Sequence, residues 1–216
     1  MSEILAQGPG GDRSGSGRRP GKRAEAKAVN REEILQAAQR VFATIGYESA
    51  SVRDIIRETS LASGTFYNYF RSKEEVAEAL MDESIARFRA RLTQVRRKAV
   101  DFEAYVRGAF RAYFDFVVEE YDSAREQAVV RAGHLPSRGE TPSQKAVFEE
   151  IRADLRAAHE RGEVPGLDFG FFAAACVGMA REVGERMVRR DPVDPGAAAS
   201  FCADAVFALL ARGPEG

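Results

Sequence analysis

The segment from Ser51 to Lys73 constrains the fold more than any other part of this chain, because it signals two helix starts in quick succession. Ser51 stands three residues before Asp54, and Ser72 stands three residues before Glu75. A hydroxyl followed at this spacing by an acidic side chain can satisfy the free backbone N–H groups of a new helix. The segment therefore predicts two short helices around a turn of about four residues, followed at once by a third helix.

The second short helix divides its side chains between two faces. Phe66 and Phe70 stand one helical turn apart and can pack inward together. The side chains left for solvent or for a partner are polar or tyrosyl: Ser63, Thr65, Tyr67, Asn68 and Tyr69. A short helix with this outward set suits the major groove of DNA. The two features together indicate a helix-turn-helix unit that reads DNA.

Helices on either side of this unit complete the N-terminal part. Asn30 is a suitable cap with Glu33 three places on, and Gly46 ends the helix that follows. One face of that helix is apolar and consists of Ile34, Ala38, Val41, Phe42 and Ile45. After Ser72 a long helix is predicted to run to about Lys98 and to connect the N-terminal unit with the rest of the chain.

The remaining sequence also predicts helices, because it lacks the period-two alternation of strands. The predicted segments are an apolar stripe from Phe102 to Val117, a shorter helix over about 122–132, a loop over 133–142, a helix from about Ser143 to Gly162, and final helices over about 168–190 and 195–212. The predicted fold class is therefore all-α. It divides into a disordered basic arm (residues 1–29), a helix-turn-helix domain (30–75) and a helical domain (76–212).

A formal net charge of -1 excludes binding to nucleic acid through a generally basic surface, so such binding must come from local patches. Cys176 and Cys202 lie in apolar stretches without the spacing of a zinc site or a disulfide framework, and are interpreted as buried thiols. No run reaches the roughly 18 apolar residues of a membrane span, and the start of the chain lacks the apolar core of a secretory leader. The sequence therefore predicts a cytoplasmic protein with no membrane partner.

The segment around the turn resembles a known family. Arg53-Asp-Ile together with the run GTFYNYFRSK at 64–73 is similar to the DNA-binding domain of the tetracycline-repressor (TetR) family, over about residues 30–80. Three positions depart from the family pattern: Thr59-Ser60 stands where Ala-Gly is common, Ile56 replaces a frequent alanine, and Ala62 stands where a capping serine is typical. The second helix is therefore expected to start at Ser63.

The resemblance implies roles for individual residues. Contacts to bases or to the nearby backbone are implied for Arg53, Ser63, Gly64, Thr65, Tyr67 and Asn68, and contacts to phosphates for Ser51, Tyr69 and Lys73. Each role has a chemical basis, since a guanidinium fork suits guanine, glycine permits close approach, and tyrosyl hydroxyls and ammonium groups reach phosphates. Residues 30–75 hold six basic and seven acidic side chains, so this domain alone has little attraction for phosphates.

The arm that precedes the domain is rich in basic residues. We hypothesise that Arg18, Arg19, Lys22 and Arg23 follow the DNA backbone or enter the minor groove, as flexible basic arms can. A tail that only increases solubility is the alternative.

The C-terminal domain offers a candidate ligand site between helices. Its candidate lining residues are Phe110, Tyr113, Phe114, Arg131, His134 and Phe148. Apolar and aromatic walls with a few polar groups suit an apolar or amphipathic small molecule, whose identity the sequence does not give. The alternative is that these aromatic residues are ordinary core and that His134 is an exposed loop residue.

The last two helices are rich in small residues beside aromatic ones. Ala173–Ala175 and Gly178 fall in the first helix, and Ala197–Ala199 and Ala203 fall in the second. Small residues let helices approach closely, and the resemblance implies a homodimer through a four-helix interface formed by these two helices. Two half-sites on DNA also require two reading heads. A monomeric core is the alternative.

No catalytic set emerges from the sequence. It holds only two histidines and lacks both a Gly-x-Ser-x-Gly element and a phosphate-binding glycine loop. We therefore expect no enzymatic activity, no cofactor and no metal, and interpret the chain as a ligand-responsive transcription regulator, in particular a repressor, of a palindromic operator. Two alternatives stay open: a constitutive DNA-binding or architectural protein without an effector, and a helical small-molecule-binding protein or enzyme.

Overall fold

The computed structural model describes residues 21–126 and 140–212, and it contains helices but no strand in these ranges. The helices are α1 (Lys22–Ile45), α2 (Val52–Arg57), α3 (Ser63–Tyr67), α4 (Lys73–Lys98), α5 (Phe102–Glu126), α6 (Pro142–Glu160), α7 (Phe169–Met187) and α8 (Pro195–Arg212). The all-α prediction is confirmed. None of these helices combines the length and the apolarity that crossing a bilayer requires.

The first helix begins earlier than predicted. Residues 22–29, assigned from the sequence to a disordered arm, form the first two turns of α1, and Asn30 lies inside the helix instead of capping it. The reason is local: these eight residues are mostly alanine, lysine, arginine and glutamate, which favour helices, and include neither glycine nor proline. The rest of the predicted arm, residues 1–20, lies outside the described residues.

One apolar core holds α1, α2, α3 and the first turns of α4 together. Its buried members are Ile34, Leu35, Ala37, Ala38, Val41, Phe42, Ala50, Ile55, Phe66, Phe70, Val76, Ala77 and Leu80. The predicted apolar face of α1 is largely in this core, although Ile45 is exposed at the end of the helix. Gly46 ends α1 with φ of +80°, a backbone conformation that side chains other than glycine rarely adopt.

A second apolar core lies among the end of α4 and helices α5–α8. Leu92, Phe114, Leu155, Cys202 and Val206 are among its most buried members. The helix α5 continues to Glu126, so the separate helix predicted from Asp122 is wrong over its described part. No glycine or proline interrupts the chain between Val117 and Glu126, and an apolar stripe that already packs on α4 and α8 extends without a break.

The connecting helix α4 runs from one core into the other, as predicted. Its start is capped by Ser72, whose hydroxyl accepts a hydrogen bond from the Glu75 N–H at 3.4 Å. Between its two apolar ends, the buried Ser84 hydroxyl lies 2.8 Å from both carboxylate oxygens of Glu120 on α5, and Arg87 pairs with the same carboxylate. These polar contacts fix α4 against α5.

A second tie joins α4 to the start of α6. The Asp82 carboxylate accepts a hydrogen bond of 2.8 Å from the Ser143 N–H, in the first turn of α6. Burial alone would raise the pKa of Asp82, but hydrogen bonds from Ser143 and Thr141 and the nearby Arg31 keep this pKa below its usual value. The next residue, Glu83, pairs with Arg31 of α1. Helices α1, α4 and α6 therefore meet at one polar joint.

The joint at Asp82 predicts a stability difference that depends on pH. Asp82→Asn keeps an oxygen that can accept from Ser143 but removes the charge. Because the folded-state pKa is lowered, the carboxylate stabilises the fold above its unfolded value, near 3.8, and this contribution disappears as the pH falls through the lower folded value. At pH 7 we expect the free energy of unfolding of the wild type to exceed that of Asp82→Asn by less than about 1 kcal/mol, since water screens a partly exposed group. This difference should disappear below about pH 4. Urea titrations at pH 7, 5 and 3 measure it, and a gap independent of pH would contradict the assignment.

Candidate nucleic-acid interface

The helix α2 is held at its start by a reciprocal cap. The Ser51 hydroxyl accepts from the Asp54 N–H at 3.3 Å, and the Asp54 carboxylate accepts from the Ser51 N–H at 3.0 Å. The Ser51 hydroxyl also donates to this carboxylate, and these hydrogen bonds hold the pKa of Asp54 below its usual value. The capping prediction is confirmed. Both donors of Ser51 serve the cap in this structure, and the predicted phosphate contact of Ser51 stays a prediction.

The turn between α2 and α3 spans Glu58–Ala62, one residue more than the sequence suggested. Glu33 of α1 fixes it by accepting a hydrogen bond of 2.6 Å from the Ser60 N–H, which lowers the pKa of Glu33. Within the turn, the Thr59 hydroxyl donates to the Ile56 carbonyl at 2.8 Å. The predicted role of Glu33 as the partner of a cap at Asn30 is wrong, because Asn30 lies within α1.

The helix α3 places its two phenylalanines in the N-terminal core, as predicted. Phe66 and Phe70 are buried, with ring centroids 6.2 Å apart. The helix begins at Ser63, as predicted, without a side-chain cap, and it ends at Tyr67, before Phe70. Backbone hydrogen bonds such as that from the Phe70 N–H to the Phe66 carbonyl, at 3.1 Å, keep the following residues wound in a helical turn.

The predicted contact residues of α2 and α3 differ in exposure. Those that face solvent are Arg53, Ser63, Gly64, Tyr67 and Asn68, whereas Thr65 and Tyr69 are half-buried. Tyr67 has 58% of its surface exposed although its ring meets Phe66 edge to face at 5.4 Å. The core thus supports α3 from behind and leaves an outward set of a hydroxyl, a phenol, an amide and a guanidinium. This set can hydrogen-bond to base edges and to phosphates.

Lys73 lies at the start of α4, as predicted, and its ammonium group contacts backbone groups of the same protein. Its ammonium group donates to the carbonyls of Tyr47, Glu48 and Ala50 at 2.8, 3.0 and 2.9 Å, and lies 4.6 Å from the centre of the Tyr47 ring. An ammonium group has three N–H donors, and all three are used here. In this structure the ammonium group therefore has no N–H left for the predicted phosphate contact, which stays a prediction. Sequence reasoning missed this cluster, because nothing in a helix start indicates which distant carbonyls will lie beside it.

Several cations of the N-terminal domain are occupied by partners inside the fold. Arg31 pairs with Glu83, Arg57 lies 3.5 Å from Asp54, and Arg40 donates to the Glu58 carbonyl at 3.4 Å. Residues 30–75 have a net charge near zero, and several of their basic side chains also pair with groups of the same protein. Arg53 remains an exposed cation in this unit.

Comparison with known proteins agrees with this geometry. Residues 34–80 match the sequence model of the family described as bacterial regulatory proteins, tetR family. The chain is 31% identical over 90 residues to the HTH-type transcriptional repressor KstR2 of Mycolicibacterium smegmatis, which covers 42% of this chain and 44% of that protein. It is 42% identical over 60 residues to the A-factor receptor protein of Streptomyces griseus, which covers 27% of this chain and 22% of that protein. Residues 34–80 of this chain are therefore similar to the N-terminal domain of the TetR family.

The similarity in fold extends beyond the matched segment. The regulator FadR of Bacillus subtilis, solved in complex with stearoyl-CoA, matches 81% of this chain and 96% of its own with a TM-score of 0.65 and 20% identity. This identity shows a shared fold and nothing more. The sequence alignments themselves span less than half the length of the two curated relatives. The matched family and the KstR2 relative are described as regulators of transcription, which agrees with the prediction that this chain is not an enzyme.

The structure describes only some of the predicted arm and ligand residues. Arg18, Arg19, Arg131 and His134 lie outside the described residues, and of Lys22 only the backbone, at the start of α1, is described. Arg23 is exposed in the first turn of α1, which is helical and not an extended arm.

The aromatic ligand candidates lie in the C-terminal core. Phe110 and Phe114 are buried members of it, and Tyr113 and Phe148 pack on its margin. The Tyr113 ring meets that of Phe88 edge to face at 5.3 Å. Two clefts of the described surface lie elsewhere, one between α1 and α2 and one beside Asp82 and Thr141, and no ligand candidate lines either. The expectation of a ligand site among these residues stays a prediction.

Proposed function

We propose that this chain is a ligand-responsive transcriptional repressor that binds a palindromic operator as a homodimer through α2 and α3. The observation that carries the proposal is the outward set on α3, supported from behind by Phe66 and Phe70. Tyr67 and Asn68 would approach the major groove, with Arg53 of α2 beside them. The chromosome of a bacterium lies in its cytoplasm, so we also place the protein there.

The exposed faces of α7 and α8 support a homodimer. Phe171 on α7 is 80% exposed, and Phe201 and Leu209 on α8 are 64% and 56% exposed. The same two helices also carry exposed small residues: Ala174, Ala175, Ala197 and Ala208. Burying one large apolar side chain contributes roughly 1.5–3 kcal/mol, so this surface favours association. Small residues between the aromatic ones would allow the helices of two copies to approach closely, as a four-helix interface requires.

A small apolar or amphipathic effector is proposed to control DNA binding. FadR of Bacillus subtilis was solved with stearoyl-CoA, an amphipathic molecule of this kind. In this chain α4 is tied to α5 through Ser84 and to α6 through Asp82, so a shift of either helix would move the N-terminal domain. An effector acts only if it binds the two arrangements unequally.

A constitutive DNA-binding protein is the second candidate function. The observation that favours it is the close packing of Phe110 and Phe114, which stack with ring centroids 6.4 Å apart in the C-terminal core. In that case the bundle would serve only to hold two reading heads at a fixed spacing. The response of the protein to candidate effectors separates these two candidate functions.

Selection of genomic fragments with the purified protein should yield a palindrome whose half-sites lie about one helical turn of DNA apart. Asn68→Ala should then weaken binding to that duplex by about 1–3 kcal/mol, because an amide to a base edge contributes this much discrimination. Gln36→Ala, which removes an exposed amide from α1, is the matched control and should leave affinity unchanged. Fluorescence anisotropy measures both variants. Equal affinities of the wild type and Asn68→Ala would remove α3 from the interface.

Two exposed apolar positions, one on the proposed interface and one away from it, test the homodimer. Phe201→Glu should convert the dimer to a monomer, because two like charges would be buried at each interface without partners. Val100→Glu is the control, since Val100 is 90% exposed but lies between α4 and α5. Sedimentation velocity at micromolar concentration reports the mass of each variant. A dimer that survives Phe201→Glu, or dissociates equally in both variants, would speak against an interface through α7 and α8.

The effector prediction is tested by thermal unfolding with a panel of long-chain acyl-CoA thioesters, fatty acids and phenols. An effector present at about 100 times its Kd should raise Tm by roughly 5 °C or more and should release the selected operator in the anisotropy assay. Phe148→Trp, which adds volume at the margin of the core, should reduce that response. A panel that leaves both Tm and operator affinity unchanged would favour the constitutive candidate.

A further inference from the structure

The ammonium group of Lys73 lies in a cradle of backbone carbonyls at the very start of α4. The carbonyls belong to Tyr47, Glu48 and Ala50, and each accepts one hydrogen bond of 2.8–3.0 Å. The Tyr47 ring covers the group at 4.6 Å from its centre, which adds a cation–π contact. Hydrogen bonds from a charged donor are about twice as strong as neutral ones. Three of them on one ammonium group make this a strong local tie.

The cradle belongs to the segment that sets the direction of α2. The segment begins at Gly46, whose φ of +80° ends α1, and closes on itself where the Ala50 N–H donates to the Gly46 carbonyl at 3.1 Å. Ala50 is buried in the N-terminal core. The following residue, Ser51, caps α2. The position of these carbonyls therefore determines where α2 starts, and Lys73 joins that start to α4.

We infer that Lys73 is a positioning residue, which holds the α1–α2 segment against α4 and thereby fixes α2, with Arg53, relative to α3. Its ammonium group stays in the cradle when DNA is bound and does not contact a phosphate. This inference rests on the proposed binding of DNA through α2 and α3. A phosphate contact would require the ammonium group to give up at least one of three carbonyls, each of which would then lose its partner. The same tie makes the start of α2 follow any movement of the start of α4.

The first experiment contains no DNA. Lys73→Met keeps most of the apolar stem and removes the ammonium group, and Lys145→Met makes the same change at an exposed lysine of α6. We expect Lys73→Met to lower Tm by roughly 5 °C and to speed hydrogen exchange of the amides of 50–57 at least tenfold, with neither change in Lys145→Met. Unchanged stability and exchange in Lys73→Met would overturn the inference, whatever the protein does with DNA.

The second experiment measures affinity against salt with the selected operator duplex, at a temperature where circular dichroism shows every variant fully folded. Removing a phosphate contact lowers the slope of log K against log salt by about 0.9 for each protomer. For Lys73→Met we expect affinity at least tenfold weaker, but with the slope of Lys145→Met. A slope reduced by about 0.9 per protomer would show that Lys73 contacts a phosphate and would overturn the inference.

Lys73→Arg separates the two roles even if the methionine variant does not fold. A guanidinium binds phosphates at least as well as an ammonium group does, but its planar fork does not match three converging carbonyls. The inference predicts that Lys73→Arg shares the loss of Tm and of affinity. Wild-type Tm and affinity in Lys73→Arg would overturn it. A wild type that binds no DNA would refute the proposed function alone, because the DNA-free measurements still decide the role of Lys73 in the fold.

Discussion

Two apolar cores share one helix, α4, and this sharing governs how the two halves of the molecule can move. Val76 and Leu80 are buried with α1 and α3, whereas Leu92, further along the same helix, is buried with α5 and α6. Separating α4 from either core would expose large apolar side chains to water, which is costly. The helix therefore moves with parts of both cores, and a rearrangement in the bundle reaches the N-terminal domain as a change in the direction of α4.

Polar contacts fix the position of α4 relative to the helices beside it. Apolar packing alone is not directional, whereas Arg96 of α4 donates two parallel hydrogen bonds of 2.8–2.9 Å to Asp154 of α6 and fixes both position and angle. The Tyr105 side chain of α5 joins the same cluster, and burial together with Asp154 raises its pKa above the usual range. The joint at Asp82 repeats the arrangement nearer to the N-terminal domain. Burial of apolar surface thus drives these helices to pack, and charged pairs fix their relative position and angle.

What the sequence could predict was local, and what it missed depends on residues far apart in the chain. The caps at Ser51 and Ser72 and the inward pair Phe66 and Phe70 follow from spacings of three and four, so they were predicted correctly. Glu33 and Lys73 each bond to backbone groups more than 20 residues away. Helical periodicity shows which side of a helix is apolar, but it does not show which turn of the chain will come to lie against a given polar side chain.

The pairing of several basic side chains inside the N-terminal domain has a consequence for the proposed binding of DNA. Weak binding to arbitrary duplex comes almost entirely from phosphate attraction, and here much of the basic complement of residues 30–75 is committed to carboxylates and carbonyls of the same molecule. If the protein binds DNA as proposed, contacts of this domain with unrelated sequence would be short, and its search would proceed by many brief encounters more than by long sliding. Fewer copies would then be held elsewhere on the chromosome, and a small population per cell would suffice to occupy one site.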